Sequence, residues 1–318
     1  MSPTTITRRR AAALLFGGAA LGATIAPGRT QTATPVRVAA IPLESASEVL
    51  YARDMGFFTK AGLDAQIQTM VNGTAIAAAL VSAAVDIGYV TLDALAAIHA
   101  KGIPLVVIAP GGEYLSPSHT GALLVAGNSP IRQAKDLNGK IIAVVALNGV
   151  THLSTRAWID QNGGDSSTIK FVEIPPPSIP AALDAGRVDA AYDGEPYLEI
   201  AKKTDRVLVY GFDAIAKHYL SSMWCAAQPW AQEHPDVIGR FVAAMRETAA
   251  WANKNPAASG ALFAGYTKTD PALIASMPRV LFTERLQPAL MQPLIDVSAK
   301  YNGFKSFPAT DLIYQPPR

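Results

Sequence analysis

The chain has 318 residues, of which half are apolar and only 16% are charged, and its formal charge is +2. So few charges exclude a coiled coil and a disordered chain, and so small a net charge gives no reason to expect nucleic-acid binding. The single cysteine, Cys225, excludes an internal disulfide framework, a cysteine-rich zinc site and an iron–sulfur cluster. The length suggests two domains, at about 100–200 residues per domain.

The N-terminal 33 residues have the features of an export signal. Residues Arg8–Arg10 precede a short apolar stretch rich in alanine and glycine, and the paired arginines resemble the twin-arginine type. The stretch is too short for a membrane anchor, so we predict cleavage near Ala26 or Ala33 and a mature chain in the periplasm. Loss of residues 1–33 removes four arginines and no acid, which leaves a formal charge of −2.

Short apolar runs alternate with helical patterns in the first part of the mature chain. The predicted strands are 36–41, 64–70, 86–90 and 105–109, and the predicted helices are 48–58, 75–84 and 92–100. The same order then restarts, with strands at 140–145, 169–174, 188–191 and 206–210 and helices between them. Strand–helix alternation implies parallel sheets covered by helices, so we predict an α/β fold with two lobes.

The C-terminal part contains helical patterns and no convincing strand after Trp230. A first-turn proline, Pro235, opens a long helix, and Asn255-Pro256 ends it and starts another. Because these helices have no sheet of their own, we expect them to pack on the first lobe. Lobe one would comprise residues 34–122 plus 224–318 and lobe two residues 123–223. The chain would then cross between the lobes near Gly121–Gly127 and Ser221–Ala227 and leave a cleft between them.

Motifs for catalysis are missing from the sequence. There is no glycine-rich phosphate fingerprint and no Gly-x-Ser-x-Gly elbow, and the five histidines include no pair at the i, i+4 spacing of a metal site. We therefore predict a protein that is not an enzyme and that holds no metal or cofactor.

Polar turns follow several of the predicted strands. They are Ser45 and Ser47, Asn72-Gly73-Thr74, Thr91, Asn148 to Thr151, and Ser178. In a parallel sheet the carboxyl ends of the strands share one edge, where ligands bind, and each helix start offers free N–H groups to an anion. The alternative for any single turn is ordinary helix capping.

Several segments together carry a family resemblance. They are residues 52–58 (ARDMGFF) with 61–63 (AGL), 86–89 (DIGY), 134–140 (AKDLNGK), 181–190 (AALDAGRVDA) with 195–197 (EPY), and 255–256 (NP). In this order they resemble the periplasmic solute-binding proteins of ABC importers, in particular the group for nitrate, sulfonates, taurine and thiamine-precursor pyrimidines. The thiamine-precursor synthase enzymes share this fold, but their cysteine-rich motif is excluded by a single cysteine.

The resemblance implies a two-lobed, type II-like periplasmic-binding-protein fold that closes like a hinge on a small solute. It also implies delivery of that solute to an ABC permease and its ATPase. We expect a monomer and, from the small net charge, no nucleic-acid partner. The ligand-binding residues that it implies are Ser45, Ser47, Asn72, Gly73, Thr74, Tyr89, Thr91, Asn148, Gly149, Thr151, His152, Ser178, Tyr192, Asp193 and Glu195. Trp224, at the predicted return crossing, is expected to add an apolar wall of the cleft.

The chemistry of these segments leaves the ligand open. Helix starts favour an anionic group such as a sulfonate, whereas Asp93, Asp193 and Glu195 would repel an anion and favour an amine or a hydrogen-bonding base. No arginine or lysine occurs in these segments, and Tyr89 and Tyr192 suit an aromatic ligand. We expect a sulfonate-, nitrate- or aromatic-type solute. The alternatives are a pyrimidine or amine-bearing ligand, or a sensor or enzyme on the same fold.

Overall fold

The computed structural model describes residues 33–70 and 72–317, so the predicted export signal lies outside the described residues except for Ala33. The strands are β1 Thr34–Ala40, β2 Leu63–Thr69, β3 Ile87–Thr91, β4 Leu105–Pro110, β5 Gly112–Leu115, β6 Gly121–Ala126, β7 Ile141–Val144, β8 Lys170–Glu173, β9 Ala190–Gly194, β10 Asp205–Val209, β11 His218–Leu220, β12 Ser222–Ala227 and β13 Leu281–Phe282. The α-helices are α1 Glu48–Asp54, α2 Phe57–Lys60, α3 Gly73–Val81, α4 Leu92–Ala100, α5 Val150–Gln161, α6 Ile179–Asp184, α7 Tyr197–Ala201, α8 Gln228–Glu233, α9 Pro235–Lys254, α10 Pro256–Thr267, α11 Pro271–Ser276 and α12 Pro288–Asn302. In the described ranges, no helix is long and apolar enough to cross a membrane.

The first sheet has five strands in the order β2-β1-β3-β12-β4. Strand β1 pairs in parallel with β2 and β3, whereas β12 runs antiparallel to both of its neighbours. All six residues of β4 are buried, as expected for an apolar strand that is covered on both faces. The predicted α/β class is confirmed, with the correction that one inner strand runs against the others.

The second sheet repeats this plan in the order β10-β6-β9-β7-β8. Strand β7 pairs in parallel with β8 and β9, and β6 is antiparallel to both β9 and β10. Helix α5 covers one face of this sheet and α6 and α7 the other, over two separate apolar clusters. The carboxyl ends of β7 and β9 therefore open onto the start of α5 and onto Asp193 and Glu195.

A third, three-stranded sheet joins β11, β5 and β13, and it marks where the chain passes between the large sheets. Because β4 belongs to the first large sheet and β6 to the second, the outward passage falls in residues 111–120. The return passage falls between β10 and β12, in residues 210–221. The crossings predicted near Gly121–Gly127 and Ser221–Ala227 are therefore displaced. Those segments contain the strands β6 and β12, whose buried residues show no alternation that would mark them as strands.

The C-terminal helices pack on the first sheet. Phe241 of α9 stacks on Phe58 of α2 with ring centroids 5.6 Å apart, and α12 packs along α4. Two details differ from the prediction. The helix expected at 48–58 is divided at Gly56, whose φ of 75° ends α1, and a short strand, Leu281–Phe282, does follow Trp230.

Gly88 in β3 marks a close approach between the first sheet and α3. A Cβ atom at this position would lie 2.3 Å from Cγ2 of Ile76. We expect Gly88→Ala to lower the free energy of unfolding by about 1–3 kcal/mol, because α3 must move away from the sheet. The control is Gly239→Ala in α9, where a Cβ meets nothing within 4 Å, and this variant should gain up to about 1 kcal/mol. Urea unfolding measures the free energy of unfolding of both variants. Equal values for the two would contradict the close approach of α3 to Gly88.

Candidate functional site

Polar groups gather at the carboxyl ends of the strands in the first sheet. The hydroxyls of Ser45 and Tyr89 are 2.7 Å apart, and Thr91 ends β3 at the start of α4. Asp93, in the first turn of α4, is 4% exposed, and its Oδ1 atom has no hydrogen-bond partner among the described residues. Burial raises the pKa of Asp93 to about 6. Because Asp93 places a carboxyl at the positive end of α4, this helix start is poorly suited to an anion.

The second sheet contributes the start of α5, which follows β7. Gly149 is the N-cap residue and makes no side-chain cap, and the first turn of α5 carries no acid. The side chain of Thr151 accepts a hydrogen bond from the backbone N–H of Val145 at 3.3 Å. The first N–H groups of this 12-residue helix and its positive dipole end are therefore suited to an anionic group.

His152 lies in the first turn of α5 and is neutral. Its Nδ1 atom accepts a hydrogen bond from the backbone N–H of Asn148 at 2.9 Å, and its ring contacts Phe171 edge-on. Burial, assisted by the positive charge of Arg156, lowers the pKa of His152 to about 4. Because Nδ1 is an acceptor, the ring proton lies on Nε2, which is left as a donor.

Two acids lie at the end of β9 in the second sheet, Asp193 within the strand and Glu195 directly after it. Asp193 is fully buried, and its Oδ1 atom accepts a hydrogen bond from the N–H of Gly194 at 2.9 Å. Glu195 is half-buried and accepts a hydrogen bond from the N–H of Glu199 at 3.3 Å. Burial raises the pKa of Asp193 to about 8, and the charge of Glu195 adds to the shift. Burial likewise raises the pKa of Glu195 to about 7, with further contributions from the charges of Glu199 and Glu44.

Helix α12 connects the two sets of strand ends. The hydroxyl of Ser298 donates to the carbonyl of Asp93 in α4 at 3.5 Å, and the side chain of Asn302 donates to the carbonyl of Asn148, just before α5, at 3.3 Å. The starts of α4 and α5 therefore lie near one another. Tyr219 of β11 is also buried. Burial raises the pKa of Tyr219 well above its usual range, and charges on Tyr192 and Asp93 both add to the effect.

Other residues predicted for the site have local structural roles. The hydroxyl of Ser47 donates to the carbonyl of Leu43, and Asn72 caps α3 by accepting from the N–H of Ala75. Gly73, Thr74 and Ser178 lie at the starts of helices, and Thr74 and Ser178 are exposed. Tyr192 is fully buried against Phe212 in the second sheet.

Trp224 lies within β12 in the core of the first sheet and has no exposed surface, so it is not at a crossing between the sheets. Its indole N–H donates to Glu48 at 3.0 Å, and its ring contacts Tyr89 edge-on. The prediction placed it as an apolar wall of the cleft because β12 was not recognised as a strand. Trp224 instead packs against Tyr89 within the core of the first sheet.

Glu44, Arg279 and Tyr219 are neighbours of the site that sequence reasoning missed. Glu44 is 7% exposed, forms an ion pair with Arg279 and accepts from the N–H of Val280 at 3.4 Å. Glu44 and Arg279 are far apart in the chain, so no local pattern marks this pair. Tyr219 lies in a three-residue strand, too short for a periodic signal.

A groove of about 650 Å³ lies elsewhere, along the edge strand β10 and the end of α5, and it includes none of the predicted site residues. Its lining includes Trp158, Tyr210 and Lys217. Within residues 33–70 and 72–317, no group of three or more His, Cys, Asp or Glu side chains is arranged to hold a metal ion.

Two mixed sheets with facing strand ends and two connecting passages define the periplasmic-binding-protein class of fold. A family profile described as "NMT1/THI5 like" matches residues 45–259, more than half of the chain, and the chain belongs to that family. The resemblance found in the sequence is thereby confirmed.

Two sequence relatives bear on function, and one solved structure bears on the fold. The taurine-binding periplasmic protein of Escherichia coli is 28% identical over 193 residues, which cover 59% of this chain and 57% of that protein's length. A protein of Bacillus subtilis named as a binder of aliphatic sulfonates is 25% identical over 83% of this chain and 79% of its own length. The crystal structure of the periplasmic aliphatic sulphonate binding protein SsuA from E. coli superposes with a TM-score of 0.73 at 23% identity, covering 89% of this chain and 93% of the other. Both sequence relatives are named as binding proteins rather than enzymes, in agreement with the prediction that this chain is not an enzyme.

Proposed function

We propose that this protein is an extracytoplasmic solute-binding protein that takes up a small organic sulfonate between two lobes. The lobes would be built on the two large sheets, close to the predicted division at residues 123 and 223, and would move about residues 111–120 and 210–221. The mature, monomeric chain would lie in the periplasm and pass its solute to an ABC permease and its ATPase. The names of the relatives support both the solute class and the location.

The observation that carries this proposal is the uncapped start of α5 opposite the strand ends of the first sheet. Its free N–H groups offer an anion site without any arginine or lysine. The Nε2 proton of His152 adds a donor close by, and the paired hydroxyls of Ser45 and Tyr89 lie at the strand ends of the first sheet. Binding at this edge agrees with the general rule for α/β sheets.

A second candidate is a pyrimidine or another amine-bearing solute, and the acids Asp193 and Glu195 favour it. The ring of Tyr89, predicted to suit an aromatic ligand, is buried against Trp224 and offers such a ligand no surface. Both candidate solutes would bind at the same site and be enclosed by the same closure. Only the identity of the bound solute distinguishes the two functions.

An isosteric charge change tests the anion site. Asn148 is exposed and lies directly before the N-cap of α5, and its side chain makes no hydrogen bond to the described residues. We expect Asn148→Asp to weaken binding of taurine or ethanesulfonate by about tenfold, because the new negative charge faces the sulfonate. Titration calorimetry measures the affinity.

The matched control is Asn162→Asp at the opposite end of α5, where the same change should leave the affinity within about twofold. Equal effects of the two substitutions would contradict a sulfonate at the start of α5. Absence of binding by every sulfonate would contradict the proposed ligand class.

A further inference from the structure

We propose that Asp193 and Glu195 form a subsite for a positively charged nitrogen of the solute, such as a primary ammonium group. This inference rests on the proposed solute-binding function and specifies the charge at the second end of the ligand. Together with the start of α5, the subsite would select a solute with an anionic group and an ammonium group.

Each of the two carboxylates keeps one oxygen without a hydrogen-bond donor. The Oδ2 atom of Asp193 and the Oε1 atom of Glu195 are inaccessible to solvent, and neither has a partner in the described part of the chain. Asp193 is 0% exposed as a whole residue. A buried carboxylate oxygen without a donor is costly, so an arrangement with two such atoms fits a donor brought by a ligand.

The cations of the neighbourhood are engaged by other acids. Lys202, directly after α7, pairs with Glu199, and Arg279 pairs with Glu44. Lys202 lowers the pKa of Glu195, but burial and the charges of Glu199 and Glu44 outweigh it, and the charge of Glu195 in turn raises the pKa of Asp193. An ammonium group carries three N–H donors, enough to donate to both free oxygens, and a positive charge opposite in sign to a carboxylate.

The protonation of the pair provides an independent readout. Because the pKa of Asp193 is raised to about 8 and that of Glu195 to about 7, the free protein holds protons on this pair near neutral pH. A cation between the carboxyls favours their ionised forms. Binding of an ammonium compound should therefore release protons, which calorimetry in buffers of different ionisation enthalpy detects.

Two matched ligand pairs test the inference: taurine against isethionate, and β-alanine against 3-hydroxypropionate. In each pair only an ammonium group is replaced by a hydroxyl. We expect the amine to bind about 10- to 100-fold more tightly, the range for one lost charge-assisted hydrogen bond, and to release protons on binding. Preference for β-alanine without any sulfonate binding would support the subsite and contradict the proposed sulfonate class. Equal affinities within both pairs, or no binding by either amine, would overturn the inference.

Substitutions then show which residues cause the tighter binding of the amine over its hydroxyl analogue. Asp193→Asn and Glu195→Gln should each weaken the amine about tenfold or more and leave the hydroxyl analogue nearly unchanged. The matched control is Asp205→Asn on β10 of the same sheet, another buried acid whose carboxyl oxygens have no partner among the described residues. It should leave the preference intact. An undiminished amine preference in Asp193→Asn and Glu195→Gln would place the subsite elsewhere and contradict the inference.

Discussion

Between about pH 6.5 and pH 8.5, the ligand-free protein is expected to lose roughly 4 kcal/mol of its free energy of unfolding. Burial raises the pKa of Glu48 and of Asp193 to about 8, so each carboxyl stays protonated in the folded protein and ionised in the unfolded chain. The stability from each group is complete below its unfolded pKa, near 4, and is lost as the pH rises through about 8. Each of the two carboxyls accounts for roughly 2 kcal/mol of the loss between pH 6.5 and pH 8.5.

Two other groups change the size of this loss. Glu195, whose burial raises its pKa to about 7, adds to the loss. His152, whose pKa burial lowers to about 4, acts oppositely, because its unfolded form takes up protons near pH 6.5 and below. Urea unfolding across the pH range measures the profile, and stability that stays constant or rises towards pH 8.5 would contradict the buried acids described.

Glu48→Gln isolates one of these acids. The glutamine can still accept from the indole N–H of Trp224, so we expect the loss over the window to shrink by roughly 2 kcal/mol. The control is Glu233→Gln on the exposed face of α8, which should leave the pH profile unchanged.

Arg279→Met is expected to destabilise the protein by about 3–5 kcal/mol, because it leaves the buried carboxylate of Glu44 without its counter-charge. The Arg279 side chain is 16% exposed and that of Glu44 is 7% exposed. Arg279 also donates to the carbonyl of Pro256 and thereby connects the turn after β1 to the start of α10. Chemical unfolding near neutral pH gives the change in free energy.

Two further variants separate the effect of the unpaired Glu44 charge from the effect of losing the packing of the Arg279 side chain. Adding Glu44→Gln to Arg279→Met should recover part of the loss, since no uncompensated charge remains. Lys60→Met breaks the exposed pair with Glu247 and should cost no more than about 1 kcal/mol. A loss in Arg279→Met no larger than that in Lys60→Met would contradict a buried ion pair.

The alternation of strands and helices was predictable because each element carries its own pattern. The apolar run at β1 and the helical spacing of Val237, Phe241 and Met245 in α9 are local signals. Strands β6 and β12 were missed as strands because both are buried runs of apolar and small residues without alternation. Their antiparallel insertion depends on pairing with distant strands, which no local pattern encodes.

The candidate site was predictable only as a set of turns. The sequence could not separate Asn72, which caps α3, from Gly149, which leaves the start of α5 uncapped. The raised pKa values of Asp193 and Glu195 result from burial. Burial depends on tertiary packing, so the sequence alone could not show them. The partner of Glu44 lies in the C-terminal helical region, so its pairing with Arg279 was also beyond local reasoning.

Hydrogen–deuterium exchange with and without a bound sulfonate tests most directly whether the solute is held between the two sheets. Taurine at saturating concentration is the first probe. The account predicts slower exchange in residues 44–47, 91–95, 149–153 and 192–195, which belong to both sheets, and little change along β10. Protection confined to the groove at Trp158 and Tyr210, or to one sheet alone, would contradict a site formed by the facing strand ends.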